Sequence, residues 1–504
     1  MKKLVSIILA VMMCMGLFAA ASAEGELDHV DLTIALYEFT GFDDDLAHVI
    51  EDKFNCDITS LLLEGDMNAQ LRLWAASDEL PDVWAGTSLA DGSRMFDFID
   101  QGLIRSIPAD MLAKYPNTEA KTLRNEVHKL LYSMTGEIYF IPRPESATDM
   151  FPAQVNYMAI RGDWLEKLEL AVPETTEELY DVLYAFTYND PDGDGEANTY
   201  GLFGSYDALY GSFGAFPGYW LTTDDGYIPG WLDEEPMLEA LTYLRKLYAD
   251  GILDPELTLR DDSKFAQGVF GAYIRNFDEY WYNRTIVEVF GGANEALGDP
   301  NDVIVLAGPF SKDAESPKQS VLRVDGISGN EYNADLSDEK LERLLMMDNW
   351  LLSQEGNDLM YWGIRDVDYT IDENGNYVML ETTPLRTKYP SIFIQNWPCW
   401  DYDYNAKPVT EGGSPYISEE TKAVTAACRT RYNEALHPET LKISVPATYL
   451  YVDASADFTF DYNAALVKII TGTDDVKAMY DAMVEEAYSY GLQDLIDQRT
   501  EALK

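Results

Sequence analysis

Residues 29–87 read HVDLTIALYEFTGFDDDLAHVIEDKFNCDITSLLLEGDMNAQLRLWAASDELPDVWAGT, and this stretch decides the fold class. Three short apolar runs, at 29–39, 56–65 and 81–87, have the composition of strands, and the two segments between them carry apolar residues at helical spacing. Strands that alternate with helical crossovers form a parallel sheet covered by helices. Another strand and helix follow at 155–170 (VNYMAIRGDWLEKLEL), so the sequence predicts an α/β fold.

The first 23 residues have the pattern of a secretory signal peptide. Two lysines precede an apolar run of ~17 residues, which is short for a membrane-spanning helix. Small residues at 21–23 (ASA) favour cleavage after Ala23. We therefore expect an exported protein, at the extracellular face or in the periplasm. Cys14 follows Met13 instead of a small residue, so a lipid anchor through Cys14 is not expected.

The composition excludes some partners. The formal net charge is −52, with 88 acidic against 36 basic residues, so nucleic acid and anionic membrane surfaces would be repelled. The acidic residues are scattered, as on a solvated surface. Cys56, Cys399 and Cys428 do not form a disulfide framework, and a bridge between Cys399 and Cys428 is left open by the sequence.

Six stretches taken together resemble one family. They are LWAASDELPDVW (73–84), GEIYFIPRP (136–144), YMAIRGDWLEKLELAVPETTEELYDVLYAF (157–186), DPDGDG (190–195), FAQGVFGAYIRN (265–276) and YWGIRDVDYTIDENGNY (361–377). Their order resembles that of the extracellular solute-binding proteins of ABC importers, in the carbohydrate-binding class that includes oligosaccharide and alginate binders. The resemblance implies two lobes, each a mainly parallel sheet flanked by helices, with a multi-segment hinge and the ligand in the cleft.

The same resemblance implies the division of the chain. We expect the first lobe to begin at 24–142, the second lobe to follow at 143–312 with a calcium-type loop at 190–199, and the chain to return to the first lobe at 313–372. The part at 373–504 is expected to belong mainly to the second lobe and the hinge. The implied partners are an oligosaccharide or other small solute and a membrane permease, and the protein is expected to be a monomer.

Sugar recognition requires flat apolar ring faces together with polar groups for the hydroxyls. With 10 Trp, 33 Tyr and 20 Phe, most aromatic residues must be core, so those after strands or in polar loops are the better candidates. The family commonly places a stacking aromatic in a segment such as RNFDEYWYNR (275–284). The predicted ligand-binding residues are Tyr37, Phe39, Trp84, Trp220, Asp278, Tyr280, Trp281, Asn396, Trp397 and Trp400.

The stretch DPDGDGEAN at 190–198 has side-chain oxygens at alternate positions, as in calcium-binding loops. The predicted metal ligands are Asp190, Asp192, Asp194, Glu196 and Asn198. Position 12, which holds a bidentate glutamate in a complete EF-hand, is Gly201, and Thr199 stands where some relatives supply a carboxylate. We expect a structural calcium ion remote from the ligand; a calcium-free turn is the alternative.

Other functions have less support in the sequence. A secreted glycan-processing enzyme would need a catalytic motif, but no GxSxG, HExxH or phosphate loop is present, and a carboxylate pair cannot be recognised from sequence alone. The expectation is therefore a protein that is not an enzyme; a peptide-binding protein is the other alternative.

Arg161-Gly162-Asp163 spells an adhesion tripeptide, which we interpret as a strand end and a helix start capped by Asp163. The acidic balance favours a neutral oligosaccharide, although Arg72, Arg94 and Arg143 remain available for ligand carboxylates.

Overall fold

The computed structural model describes residues 27–86, 92–124, 126–142, 156–204, 206–223, 226–256, 262–276, 279–323, 329–396, 416–435, 441–444, 452 and 458–502. Within these ranges the strands are β1 (Val30–Tyr37), β2 (Cys56–Leu63), β3 (Val83–Gly86), β4 (Ile141–Pro142), β5 (Asn156–Arg161), β6 (Tyr200–Gly204), β7 (Trp220–Thr223), β8 (Gly226–Pro229), β9 (Phe270–Asn276), β10 (Ile304–Ala307), β11 (Ser320–Arg323), β12 (Gly329–Tyr332), β13 (Tyr369–Ile371), β14 (Tyr377–Met379) and β15 (Leu441–Ser444).

Helices connect and cover these strands. The α-helices span Asp45–Phe54, Met67–Ser77, Gly92–Asp100, Ala109–Leu112, Pro116–Arg124, Glu126–Thr135, Gly162–Lys167, Thr176–Tyr188, Asp207–Gly211, Glu234–Ala249, Asp262–Phe265, Glu279–Tyr282, Gly291–Ala293, Pro300–Val303, Asp338–Leu351, Gln354–Trp362, Leu385–Lys388, Glu419–Ala435, Tyr462–Thr471, Val476–Ser489 and Leu492–Ala502. A π-helix spans Asn283–Phe290, and 3-10 segments span Gly230–Leu232, Glu295–Leu297 and Pro390–Asn396. Among the described helices, none is both long and apolar enough to cross a membrane.

The first sheet has the order β2-β1-β3-β12-β4. β1 is parallel to β2 and to β3, which confirms the β-α-β-α-β unit predicted from residues 29–87. β12 is antiparallel to both β3 and β4. Four strands of this sheet therefore run in one direction, and β12 alone runs in the opposite direction.

The second sheet has the order β10-β5-β9-β6. β6 and β9 are parallel, and β5 is antiparallel to its neighbours β9 and β10. Three strands thus share a direction and β5 is reversed. The two-lobed α/β class is confirmed, and each sheet has one reversed strand that the sequence did not predict.

The two reversed strands, β5 and β12, occupy corresponding positions in the chain path. β5 is the first strand of the second sheet after the chain leaves the first sheet, and β12 is the first strand of the first sheet after the chain returns. In both cases the chain leaves from the carboxyl end of a strand that runs with the majority. It would enter the other sheet as a reversed strand if the carboxyl edges of the two sheets face each other. This topology is consistent with a cleft between the two carboxyl edges.

Each sheet has its own apolar core, and both cores combine distant segments. The first contains Ile34 and Ile50 together with Leu344 and Ile394, so it extends along the chain beyond the expected boundary at residue 372. One face of the second sheet packs against the helices Thr176–Tyr188 and Glu234–Ala249 and the C-terminal helices, and the other face packs against the π-helix. Two smaller sheets, β11-β15-β7-β8 and β13-β14, complete the described strands.

Two helix ends carry local signals that stabilise them. Thr175 and Glu178 form a capping box, in which the Thr175 hydroxyl accepts from the backbone N–H of Glu178 at 3.3 Å and the Glu178 carboxylate accepts from that of Thr175 at 3.3 Å. The helix Glu234–Ala249 is followed by Gly251, whose φ of 69° is a left-handed conformation that glycine adopts without strain.

Candidate functional site

The carboxyl end of β1 brings the first group of predicted residues to the cleft edge. Tyr37 is the last residue of β1 and is partly buried. Glu38 follows with a φ of 61°, a left-handed conformation that residues other than glycine rarely adopt. Ligands of open α/β sheets bind beyond the carboxyl ends of the strands, so this turn lies where a ligand site is expected.

The second lobe supplies Trp281 from the segment that follows β9. β9 ends at Asn276, and Trp281 lies in the short helix Glu279–Tyr282. Its ring is partly exposed, and the guanidinium groups of Arg275 and Arg284 lie 3.8 Å and 5.2 Å from the ring centre. Guanidinium groups at these distances are attracted to the indole ring by cation–π interaction and fix its position.

Two ion pairs join the edges of the lobes. Arg284 of the second lobe donates a hydrogen bond to the Glu38 carboxylate of the first lobe. Arg386, in the helix Leu385–Lys388 that packs in the first core, donates to the Glu288 carboxylate on the π-helix. The structure therefore brings the predicted segment around Tyr37 close to the segment that contains Trp281.

Three other predicted residues lie in packed surroundings. Phe39 is buried against Phe42, with ring centres 5.6 Å apart. Trp84 is fully buried, and its indole N–H donates to the Glu331 carboxylate at 2.9 Å. Trp220 is buried on β7 beneath the Arg499 guanidinium, 4.4 Å from its ring centre. In this conformation these rings contribute to the cores, and their contact with a ligand stays a prediction.

The remaining predicted ligand-binding residues cannot be placed relative to the cleft. Asp278, Trp397 and Trp400 lie outside the described residues, as do the side chains of Tyr280 and Asn396.

Cys399 also lies outside the described residues, whereas Cys428 is a buried free thiol whose pKa is raised to about 11 by burial.

The four charged residues of the ion pairs were missed by sequence reasoning. Glu38 lies between the predicted residues Tyr37 and Phe39, and Arg284 is the last residue of the stretch RNFDEYWYNR (275–284). The available signal was therefore a charged residue next to an aromatic residue just after a strand. Arg386 and Glu288 lie 98 positions apart, and no local pattern links them.

In the adhesion tripeptide the arginine is buried, whereas Gly162 and Asp163 are partly exposed. Arg161 is buried, lies over the Trp164 ring at 4.5 Å, and forms two hydrogen bonds to the Asp163 carboxylate at 2.7 Å and 2.5 Å. The expected capping by Asp163 is wrong, because its carboxylate binds this guanidinium, and the helix Gly162–Lys167 has no side-chain cap. The interpretation of Arg161 as a strand end is confirmed.

The loop at 190–198 gathers three carboxylates. Carboxylate oxygens of Asp190, Asp192 and Asp194 all lie within 4.8 Å of one another. One Asp190 oxygen accepts from the backbone N–H groups of Gly193 at 3.0 Å and Gly195 at 3.4 Å. Burial would raise the pKa of Asp190, but these two hydrogen bonds, together with one to the Asp192 side chain and the charge of Lys167, lower the pKa instead. Three adjacent carboxylates repel one another, and a cation among them would remove that repulsion.

The end of the loop does not supply the missing carboxylate. Asn198 donates to the Asp194 carboxylate at 2.8 Å, and the backbone N–H of Glu196 donates to the same group at 2.7 Å. The Thr199 hydroxyl is buried and donates to the Phe186 carbonyl at 2.8 Å, so it closes the turn instead of pointing into the loop. The oxygen atoms present suit a hard cation such as calcium, with Asp190, Asp192 and Asp194 as its side-chain ligands.

Comparison with known proteins gives relatives over most of the chain, although no protein-family model matches it. The polygalacturonan/rhamnogalacturonan-binding protein YtcQ of Bacillus subtilis is 24% identical over 459 residues, which are 88% of this chain and 83% of YtcQ. The fructooligosaccharide ABC transporter substrate-binding protein FusA of Streptococcus pneumoniae is 30% identical over 283 residues, 52% of this chain and 49% of FusA.

Solved structures share the fold. FusA in complex with kestose has a TM-score of 0.68 at 18% identity and covers 94% of this chain and 98% of its own. An EF-hand mutant of FusA with fructo-nystose matches equally well, with a TM-score of 0.68 at 19% identity, covering 94% of this chain and 98% of its own. The alginate-binding protein AlgQ2 without calcium ion has a TM-score of 0.66 at 19% identity, covering 94% and 97%. The relatives and structural neighbours are thus carbohydrate-binding solute-binding proteins, and the resemblance deduced from the sequence is confirmed.

Proposed function

We propose that this chain is an extracytoplasmic solute-binding protein that captures a carbohydrate between its two lobes and delivers it to the permease of an ABC importer. The observation that carries the proposal is the contact of Arg284, which lies beside the Trp281 ring in the second lobe, with Glu38 of the first lobe, at the carboxyl edges of both sheets. Similarity to proteins that bind kestose, alginate or polygalacturonan supports a sugar as the ligand class.

The mechanism follows from the two-lobed fold. A sugar placed beside Trp281 offers C–H groups to the indole face and hydroxyl groups to the charged side chains around it. A ligand that binds the closed arrangement more tightly than the open one shifts the lobes toward closure. The ligand is then transferred intact, since the chain binds and releases it without covalent chemistry.

The test is a thermal-shift screen of the protein against a panel of neutral and uronic-acid oligosaccharides. A ligand present at about 100 times its dissociation constant stabilises the folded state by roughly 2.7 kcal/mol, which is a visible increase in Tm. We expect at least one oligosaccharide to raise Tm and to be recovered unchanged. An unchanged Tm with every sugar but an increase with peptides would contradict the sugar class, and a cleaved sugar would indicate a glycan-processing enzyme.

We also propose that the loop at 190–198 holds a structural calcium ion, with Asp190, Asp192 and Asp194 as side-chain ligands, the Glu196 carbonyl as a further ligand, and Asn198 at the end of the loop. The clustering of the three carboxylate oxygens supports it. The relatives described as an EF-hand mutant and as a protein without calcium ion support calcium in this family. The loop follows the helix Thr176–Tyr188, which packs in the second core, so the ion would stabilise that lobe.

Removal of calcium is expected to lower Tm. At about 100 times its dissociation constant, calcium adds roughly 2.7 kcal/mol to the free energy of unfolding, and a chelator removes this contribution. Asp190→Asn should abolish most of the calcium response, because the first position of such loops requires aspartate, whereas the third and fifth also accept asparagine. The matched control is Asp372→Asn, because Asp372 also accepts backbone hydrogen bonds in a tight loop, from Asn374 and Asn376 at 2.8 Å, but is not one of the clustered carboxylates. Identical Tm values of the unaltered protein with calcium and with chelator would show that the loop is a calcium-free turn.

A further inference from the structure

Two ion pairs connect the lobes with alternating charge. The π-helix of the second lobe presents a cation, Arg284, and an anion, Glu288, four residues apart. The first lobe presents an anion, Glu38, opposite Arg284 and a cation, Arg386, opposite Glu288. Because the signs alternate on both sides, a shift of one lobe along the other would bring like charges together. Complementary charges arranged in this way fix the register of two surfaces.

Two of the four side chains, Glu288 and Arg284, make further contacts within the second lobe. The Glu288 carboxylate also accepts a hydrogen bond from the Asn283 amide of the same helix at 2.7 Å. Arg284 lies 5.2 Å from the Trp281 ring centre. Glu38 has a left-handed backbone that is uncommon outside glycine, and such conformations cluster at ligand clamps and switch regions. π-Helical segments, such as the one carrying Arg284 and Glu288, are also frequent at functional sites.

Both pairs are weak enough to break during a functional cycle. Their side chains are between 20% and 36% exposed, so water and salt screen them. Each exposed ion pair adds little to the stability of the closed arrangement, whereas a bound ligand adds many contacts between the lobes at once. Two such pairs can hold the lobes in one arrangement without ligand, and still allow the lobes to separate for release.

We propose that Glu38–Arg284 and Arg386–Glu288 act together as an interlobe lock that favours the closed arrangement before ligand binds and thereby increases ligand affinity. The four residues are positioning residues in this role. The effect on affinity rests on the proposed function, whereas the effect on lobe separation does not require any ligand.

Small-angle X-ray scattering of the ligand-free protein tests the lock directly. The double variant Glu38→Gln/Glu288→Gln should have a larger radius of gyration than the unaltered protein. Raising the salt concentration should enlarge the unaltered protein toward the same value, since the Debye length falls from about 8 Å at 0.15 M to about 3 Å at 1 M. The matched control is Glu342→Gln, which removes a surface pair to Lys114 within the first lobe at 2.6 Å and should leave the radius unchanged.

The affinity for an oligosaccharide found by thermal shift gives the second measurement. Each single variant should raise Kd roughly two- to fivefold, and the double variant about tenfold. Exchanging the charges of one pair, by Glu38→Arg with Arg284→Glu, should recover part of the loss seen with Glu38→Gln. Equal radii of gyration for the double variant and the control would overturn the lock. A protein that binds no sugar would contradict the proposed function, yet the scattering result would still decide whether the lock exists.

Discussion

Replacing Lys121 by methionine is expected to lower the free energy of unfolding by about 3–5 kcal/mol, because a buried carboxylate would lose its counterion. The Lys121 ammonium lies 2.9 Å from the Asp348 carboxylate, and the two side chains are 1% and 0% exposed. The Thr118 hydroxyl donates to the other Asp348 oxygen at 2.6 Å. Lys121 precedes the second lobe in the chain and Asp348 follows it, so this pair ties together the two segments of the first lobe.

Urea unfolding followed by circular dichroism measures this effect. The matched control is Lys114→Met, since the exposed Lys114–Glu342 pair is screened by water and its loss should lower the free energy of unfolding far less than loss of the buried pair. The double variant Lys121→Met/Asp348→Leu removes both charges and should be closer in stability to the unaltered protein than Lys121→Met alone. A loss for Lys121→Met no larger than that for Lys114→Met would mean that water reaches Asp348 and that the pair is not buried in solution.

The sequence predicted those parts of the fold that depend on local patterns. The alternation of apolar runs predicted the parallel unit β1-β2-β3, and the pattern T-x-x-E at 175–178 is a local signal of the capping box seen at Thr175. The reversed strands β5 and β12 could not be predicted locally, because their direction is set by where the chain crosses between lobes. The same limit applies to Lys121 and Asp348, whose contact joins residues 227 positions apart.

The candidate site was predicted only in outline, for the same reason. Trp281 was identified from its polar surroundings, and the structure places it at the edge of the second lobe with Arg284 reaching Glu38. Trp84 was selected by the same criterion, yet it lies inside β3 instead of after it, and it is fully buried against Phe98 and Glu331. An aromatic residue after a strand therefore indicates a position near the sheet edge, and the long-range packing decides whether its ring faces the cleft or the core.

Replacing Trp281 by alanine is expected to weaken binding of the oligosaccharide by about 2 kcal/mol, close to thirtyfold in Kd, as for a central aromatic contact. The substitution removes the ring face beside the cleft and the surface on which Arg275 and Arg284 are held. Isothermal titration calorimetry with the sugar found by thermal shift measures the change. The matched control is Trp362→Ala, since Trp362 packs against Tyr369 and Tyr377 in the first lobe.

Trp281→Phe separates the two roles of the ring. Phenylalanine keeps a flat face for the sugar but offers a weaker cation–π partner to Arg284 than indole does. If the ring acts by contacting the sugar, Trp281→Phe should keep most of the affinity that Trp281→Ala loses. If it acts mainly by positioning Arg284 against Glu38, both variants should lose affinity and both should enlarge the ligand-free protein in solution. An affinity for Trp281→Ala equal to that of Trp362→Ala would remove Trp281 from the site and place the sugar against other residues of the cleft.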